Sequence, residues 1–279
     1  MQRLLVFQSL WAMERRHPDG REWPLEEKIA MIAEAGFDGA SVDFGDAAFA
    51  RRATALLRRH GLTWQVECFV PTVEGLRPVL DLYGELGGTH VNLLPTIRPY
   101  TLEESVPFVE GWRTLAHKAG VPLHIETHRN TLTTDLIFTL HLLDRFPDLR
   151  LEADLSHLLV GREFWHPVSA ENHALIHRIL DASWALQGRV GSREQIQVPL
   201  LPHLRHWLDL FLGWWDYGMR SWRARAGPDA ALTFLCELGP REYAITGPGG
   251  LELSDRWQES QILMEHARAL WRAIEAEGP

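Results

Sequence analysis

The chain has 279 residues, 46% of them hydrophobic and 23% charged, with 28 Lys plus Arg against 37 Asp plus Glu and a formal net charge of -9. That length suits one large α/β barrel or two ordinary domains, and the composition excludes a disordered chain. The acidic balance excludes the basic footprint of a protein that binds DNA, RNA or anionic membranes.

Cys68 and Cys236 form no CxxC pair, so a reducing, cytoplasmic setting is expected rather than a disulfide framework. The opening "MQRLLVFQSLWAMERRH" has an apolar run too short for the core of a signal peptide and reads as a first strand. No stretch reaches the length of an uninterrupted transmembrane span.

Short apolar runs alternate with longer amphipathic ones along the chain. The patterning predicts a strand over 3–9, a helix over 24–35, a strand over 37–43 and a helix over 46–60. A strand over 63–69, a helix over 74–86, a strand over 89–94 and a helix over 101–119 follow. The second half repeats the alternation, with strands over 122–127, 150–154, 182–190 and 232–237. Its helices are expected over 133–145, 169–180, 203–225 and 254–276. Gly36, Gly61 and Gly120 stand where helices should stop, and Thr101 with Glu104 has the spacing of a capping box. Eight strand signals alternating with eight helix signals predict a single (β/α)8 TIM barrel over 1–279. An open doubly wound sheet is the competitor, but neither a GxGxxG turn nor a P-loop is present. In 204–222, Trp207, Trp214, Trp215 and Trp222 recur at helical spacing, as a stripe packed on the barrel would, with room left for a homo-oligomer interface.

In such a barrel the C-terminal strand ends build the active site. Here the fifth ends "HIETHRN" with Glu126 and His128, and the sixth ends "EADLSH" with Asp154 and His157. The seventh ends "ALQGRVG" with Gln187 and Arg189, and the eighth ends "CELGPREY" with Glu237. Carboxylates gathered in a confined mouth stay ionised only beside a positive charge. Arg189 can supply part of it and a divalent ion more, since oxygen donors suit Mn²⁺, Mg²⁺ or Co²⁺. Taken singly, each acid could instead pair with an arginine or a helix N-terminus.

The segments "HIETHRNTLTTD", "EADLSHLLVGREFWH", "GRVGSREQIQVP" and "CELGP" resemble the xylose-isomerase-like TIM barrels of the sugar (phosphate) isomerase/epimerase superfamily, over most of the chain. The resemblance implies one divalent ion held by Glu126, Asp154, the seventh-strand position and Glu237. It also implies His157 and Arg189 as substrate contacts. The sequence departs from the family at Gln187, where the usual residue is histidine. A glutamine carbonyl completes an all-oxygen shell, which favours Mn²⁺, with Mg²⁺, Co²⁺ and Zn²⁺ as alternatives. The implied reaction is isomerisation or epimerisation of a sugar or polyol-derived ketone. In it the metal stabilises an enediolate while Glu126 and Glu237 take and return a carbon-bound proton.

Other positions carry weaker signals. Glu67 and Asp43, at the third and second strand ends, are candidate pocket residues, with His128 in support. Trp11, Phe69 and Trp165 could stack on a sugar ring, and Arg193 and Arg241 could meet a phosphate. His90 and His124 read as core histidines. His173 and His177 lack the HExxH context of a helix-borne metal pair and read as surface or interface residues. Ser156 has no nucleophile elbow. The competing functions are a metal-dependent lyase or dehydratase on a keto-sugar or inosose, and a non-catalytic sugar-binding barrel suggested by Gln187. A zinc-type apurinic endonuclease would need more histidines at strand ends.

Overall fold

The computed structural model describes residues 1–15 and 21–277. Its strands are β1 (Arg3–Ser9), β2 (Gly39–Asp43), β3 (Thr63–Val70), β4 (Val91–Pro95), β5 (Leu123–Glu126), β6 (Leu151–Ala153), β7 (Ser183–Gly188) and β8 (Ala231–Cys236). They pair in chain order, all parallel, and β8 returns to β1 to close the barrel. Around it lie α1 (Leu25–Glu34), α2 (Ala47–Arg59), α3 (Arg77–Leu86), α4 (Leu102–Ala119), α5 (Leu136–Arg145), α6 (Leu155–Gly161), α7 (Ala170–Asp181), α8 (Arg205–Arg225) and α9 (Arg256–Ala276). The (β/α)8 expectation holds, with every predicted strand and helix present.

The differences are local and have physical causes. The helix expected from 133 starts at Leu136, because Asp135 caps it by accepting from the Phe138 amide at 2.8 Å. Helix α6 was not expected. It is too short to show a period, and it begins inside the "EADLSH" strand-end motif, where Asp154 is its N-cap. Gly36, Gly61 and Gly120 adopt the left-handed conformation that a side chain resists, at φ 83°, 71° and 68°. Thr101 accepts from the Glu104 amide at 3.3 Å, while the Glu104 carboxylate turns back one residue further, to the Tyr100 amide. "GPGG" closes a turn between Thr246 and Glu252, which pair across it.

The tryptophan stripe of α8 is consumed inside the chain. Trp214 and Trp215 are fully buried, Trp215 stands edge-on to Phe234 of β8, and the Trp214 indole donates to His173 of α7 at 3.0 Å. His177 stacks on Tyr217 of α8 with centroids 3.7 Å apart. Trp214, His173, His177 and Tyr217 therefore form the seam between α7 and α8, while Trp215 packs on the barrel. Among the described residues, no helix is long and apolar enough to cross a membrane.

Closure of the barrel also explains a glycine. A Cβ on Gly39 of β2 would lie 2.2 Å from the Thr63 carbonyl oxygen and 2.9 Å from the Phe7 ring. The first of these is backbone and cannot swing aside. Gly39→Ala is expected to destabilise the chain by at least about 1–3 kcal/mol, read from the urea midpoint. Unchanged stability would show that β2 and β3 separate more easily than their pairing suggests.

Candidate active site

Parallel pairing sets the site's residues side by side. β5 presents Glu126 at its last position, β6 runs directly into Asp154, and β8 runs into Glu237. Their carboxylates each bring an oxygen within 4.8 Å of the other two, and all three side chains are buried. Arg189, just beyond β7, lies between two of them. Its Nε donates to Asp154 Oδ2 at 2.9 Å, its Nη2 to Glu237 Oε2 at 2.6 Å and its Nη1 to Gln197 Oε1 at 3.2 Å. Trp11 and Tyr243 flank the guanidinium, their ring centres 5.7 and 4.8 Å away. The other Asp154 oxygen accepts from the Ser156 amide at 3.0 Å and from its hydroxyl at 2.6 Å. Asn92 of β4 donates to Glu126, and Ser9 approaches Glu237 at 3.5 Å.

Three carboxylates against one guanidinium leave a formal excess of two negative charges. Burial, then the charges of Glu237 and other acids, push Glu126 well above the usual carboxylate range. Burial also lifts Glu237, to about 7, against the pull of Arg189. Half-buried Glu67 is raised by desolvation and by Glu237 and Asp43. Burial would lower the Arg189 pKa, but Asp154 and Glu237 outweigh it and hold it above the ordinary arginine value. The imbalance is that of a divalent cation, and the donors are hard oxygens, so the residues present fit such an ion.

Gln187 sits one layer further in. Its Nε2 donates to Glu152 Oε1 at 3.3 Å, while its own Oε1 is buried without a partner among the described residues. Glu152 also takes Gln65 Nε2 at 2.8 Å and faces His90 Nε2 at 2.9 Å. His90 is thus a satisfied core histidine, and His124 stacks on it. Glu152 and Asn92 escape sequence reasoning, although each is a polar residue inside an apolar strand, which is the available signal.

The strand ends open into a cavity of about 650 Å³. Glu126, Glu237, Arg189, His128, Glu67 and Asp43 line it, together with Trp11 and Phe69. Phe69 is 52% exposed at its mouth. Tyr243, from the loop after β8, and Lys28 of α1, paired with Glu22, line it too and carry no recognisable motif. His157 lies outside the lining. It is fully buried under His128, with ring centroids 4.0 Å apart, and stands 3.5 Å from Asp154 Oδ2. Burial, then His128 and the nearby arginines, hold it well below the usual histidine pKa. Glu126, His128 and His157 also bring potential ligand atoms within 4.8 Å of one another. Trp165 is 71% exposed under the Arg193 guanidinium, away from the cavity. Arg193 pairs with Glu163 and Glu194, and Arg241 donates to the Gly250 carbonyl, so neither faces the cavity.

No protein-family model matches the sequence, and no curated protein matches it significantly. Solved structures match the fold along nearly its whole length. One is a xylose isomerase-like TIM barrel protein from Mycobacterium smegmatis, in complex with magnesium. It has a TM-score of 0.62 and 12% identity, covering 96% of this chain and 97% of that one. Another is a D-allulose 3-epimerase from Methylomonas sp., in complex with D-allulose, with a TM-score of 0.60, 16% identity and 98% of both chains covered. A probable 3-DHS dehydratase from Bacillus anthracis matches with a TM-score of 0.57 and 13% identity, over 96% of this chain and 98% of that one. What this chain shares with these structures is the fold, a closed (β/α)8 barrel.

Because Glu237 titrates near 7, above the 4.5 of an ordinary glutamate, folding favours its protonated form. That contribution is complete below about pH 4.5 and is lost as pH rises through 7. Glu237→Gln stays neutral and keeps it. The Tm of the metal-free variant relative to metal-free wild type is therefore expected to rise between pH 5 and pH 8 in calorimetry. A difference independent of pH would show that Glu237 ionises without penalty.

Proposed function

We propose that the chain is a divalent-metal-dependent isomerase or epimerase that acts on a sugar or polyol-derived ketone by moving a carbon-bound proton. One observation carries the reading. Two buried carboxyls, Glu126 and Glu237, are both pushed above the usual carboxylate range and face one cavity beside a third carboxylate and a guanidinium. General acid–base groups work best with a pKa near the operating pH, and in the metal-free site burial lifts Glu237 to about 7.

Glu126, Asp154, Glu237 and the Gln187 carbonyl would hold the ion, with Mn²⁺ favoured and Mg²⁺ next for an all-oxygen set. When bound, it supplies Lewis-acid polarisation of a ketone and its neighbouring hydroxyl. Glu126 and Glu237 take and return the proton. Arg189, fixed by Asp154 and Gln197, neutralises charge developing on a substrate oxygen. His128 and Glu67 orient hydroxyls in the cavity, and His157 supports the His128 ring from beneath. Trp11 and Phe69 offer apolar faces to a sugar ring. The fold is shared with a protein in complex with magnesium and with an epimerase in complex with D-allulose, which supports this reading. A probable dehydratase shares it as well, so elimination of water from a keto-sugar or inosose is the second reading.

Two measurements test the proposal. Desalted wild-type protein is expected to carry or take up near-stoichiometric Mn²⁺ or Mg²⁺ by elemental analysis, and a Glu126→Gln/Asp154→Asn variant to lose it. Incubation of the Mn²⁺-loaded protein with ketohexoses and inososes in D₂O should introduce deuterium at the epimerised carbon without loss of water. Glu237→Gln should lower that turnover by about 10²–10⁴-fold. Loss of water from the substrate would select the dehydratase reading. Absence of saturable metal uptake by the wild type would overturn both.

A further inference from the structure

We infer that Glu152, sealed inside the barrel one layer beneath the candidate site, is a positioning residue that orients the Gln187 amide so that its carbonyl oxygen is offered to a divalent ion. The inference rests on the metal reading above and adds the residue that makes glutamine serviceable at the seventh-strand position.

The two ends of a glutamine amide are similar in size and opposite in polarity, and half a turn about the last side-chain bond exchanges them. Turned toward a cation, the carbonyl ligates and the amino group repels. Glu152 makes the selection. Its Oε1 receives Gln187 Nε2 at 3.3 Å and Gln65 Nε2 at 2.8 Å, and its Oε2 lies 2.9 Å from His90 Nε2. A carboxylate held among N–H groups can only accept, so only the amino end of Gln187 can face it. The carbonyl is thereby turned away from Glu152, and it is buried with no partner among the described residues. Gln187 lies two residues before Arg189, whose guanidinium bridges Asp154 and Glu237.

His90, His124 and Glu152 themselves bring potential ligand atoms within 4.8 Å of one another. Two features make this group an anchor rather than a second metal site. Glu152 already faces Gln65, Gln187 and His90. The two imidazoles are stacked, with centroids 4.2 Å apart and planes 29° apart, so their ring lone pairs run side by side instead of converging.

The test is calorimetric titration of Mn²⁺ into metal-free protein, which reads affinity without any substrate. Glu152→Gln lets a new amide donate to the Gln187 carbonyl and frees the side chain to turn, so Mn²⁺ should bind about 10–100-fold more weakly. The exchange Glu152→Gln/Gln187→Glu restores a donor facing an acceptor and leaves one carboxylate oxygen for the ion, so it should return affinity at least to wild type. Gln65→Met disturbs the same layer but leaves Gln187 tied, and should bind within about twofold of wild type. A Glu152→Gln protein that binds as tightly as wild type overturns the inference, as does an exchange variant no better than Gln187→Leu. The latter comparison decides if Glu152→Gln alone fails to fold. A wild type that takes up no Mn²⁺ overturns the metal reading and this inference with it. A wild type that binds, with Glu152→Gln unchanged, leaves the metal reading intact.

Discussion

Everything at the candidate site follows from one imbalance of buried charge. Arg189 faces Asp154 and Glu237 directly, with Glu126 alongside, and all four side chains are buried. At an effective dielectric constant of about 20, two unit charges 4 Å apart interact by roughly 4 kcal/mol, so a one-to-three ratio cannot be neutral in its consequences. Burial first, and then the neighbouring acids, raise the carboxyl pKa values of Glu126 and Glu237. Both depend on closure. Because β8 pairs with β1, there is no sheet edge through which solvent could enter between the strands.

The barrel interior separates two tasks by layer. The outer layer of Glu126, Asp154, Arg189 and Glu237 is strained by like charges. Beneath it, Glu152 draws Gln65, Gln187 and His90 around one carboxylate. A buried polar network stabilises only when its members are satisfied; here the Glu152 carboxylate is satisfied, while the Gln65 and Gln187 carbonyl oxygens are left without a partner among the described residues. Gln187 donates to Glu152, and its own carbonyl is left over. Asn92 plays the comparable part on β4, donating to Glu126 while its own carbonyl is left over.

Sequence patterning captured the barrel because period-two strands and period-3.6 helices are properties of local spacing, and each glycine stop needed only its own backbone. The strand-end acids were legible for the same reason, since a carboxylate closing an apolar run is visible in one dimension. What could not be read was which polar groups meet across the barrel. Glu152 stands two residues from Asp154 and looks like its neighbour, yet its partners come from β3, from β7 and from the residue preceding β4. His157, three residues from Asp154, looked like a cavity residue. The turn of α6 instead carries it beneath His128, because Asp154 ends the strand by capping a helix. Tyr243 and Lys28 reach the cavity from a loop and a helix that carry no motif.

The three carboxylates are also unequal, and the number of donors each faces accounts for it. Asp154 takes the Ser156 amide and hydroxyl on one oxygen and Arg189 on the other. Hydrogen bonds of this kind fix the direction of the acceptor. Glu237 has one short bond, to Arg189, and a long one, to Ser9. Glu126 has the Asn92 amide. A well-donated carboxylate is suited to remain an oriented acceptor. One that is buried with fewer donors gains more from holding a proton, as Glu126 and Glu237 do. The inequality among Asp154, Glu126 and Glu237 therefore follows from the chain's own hydrogen bonds.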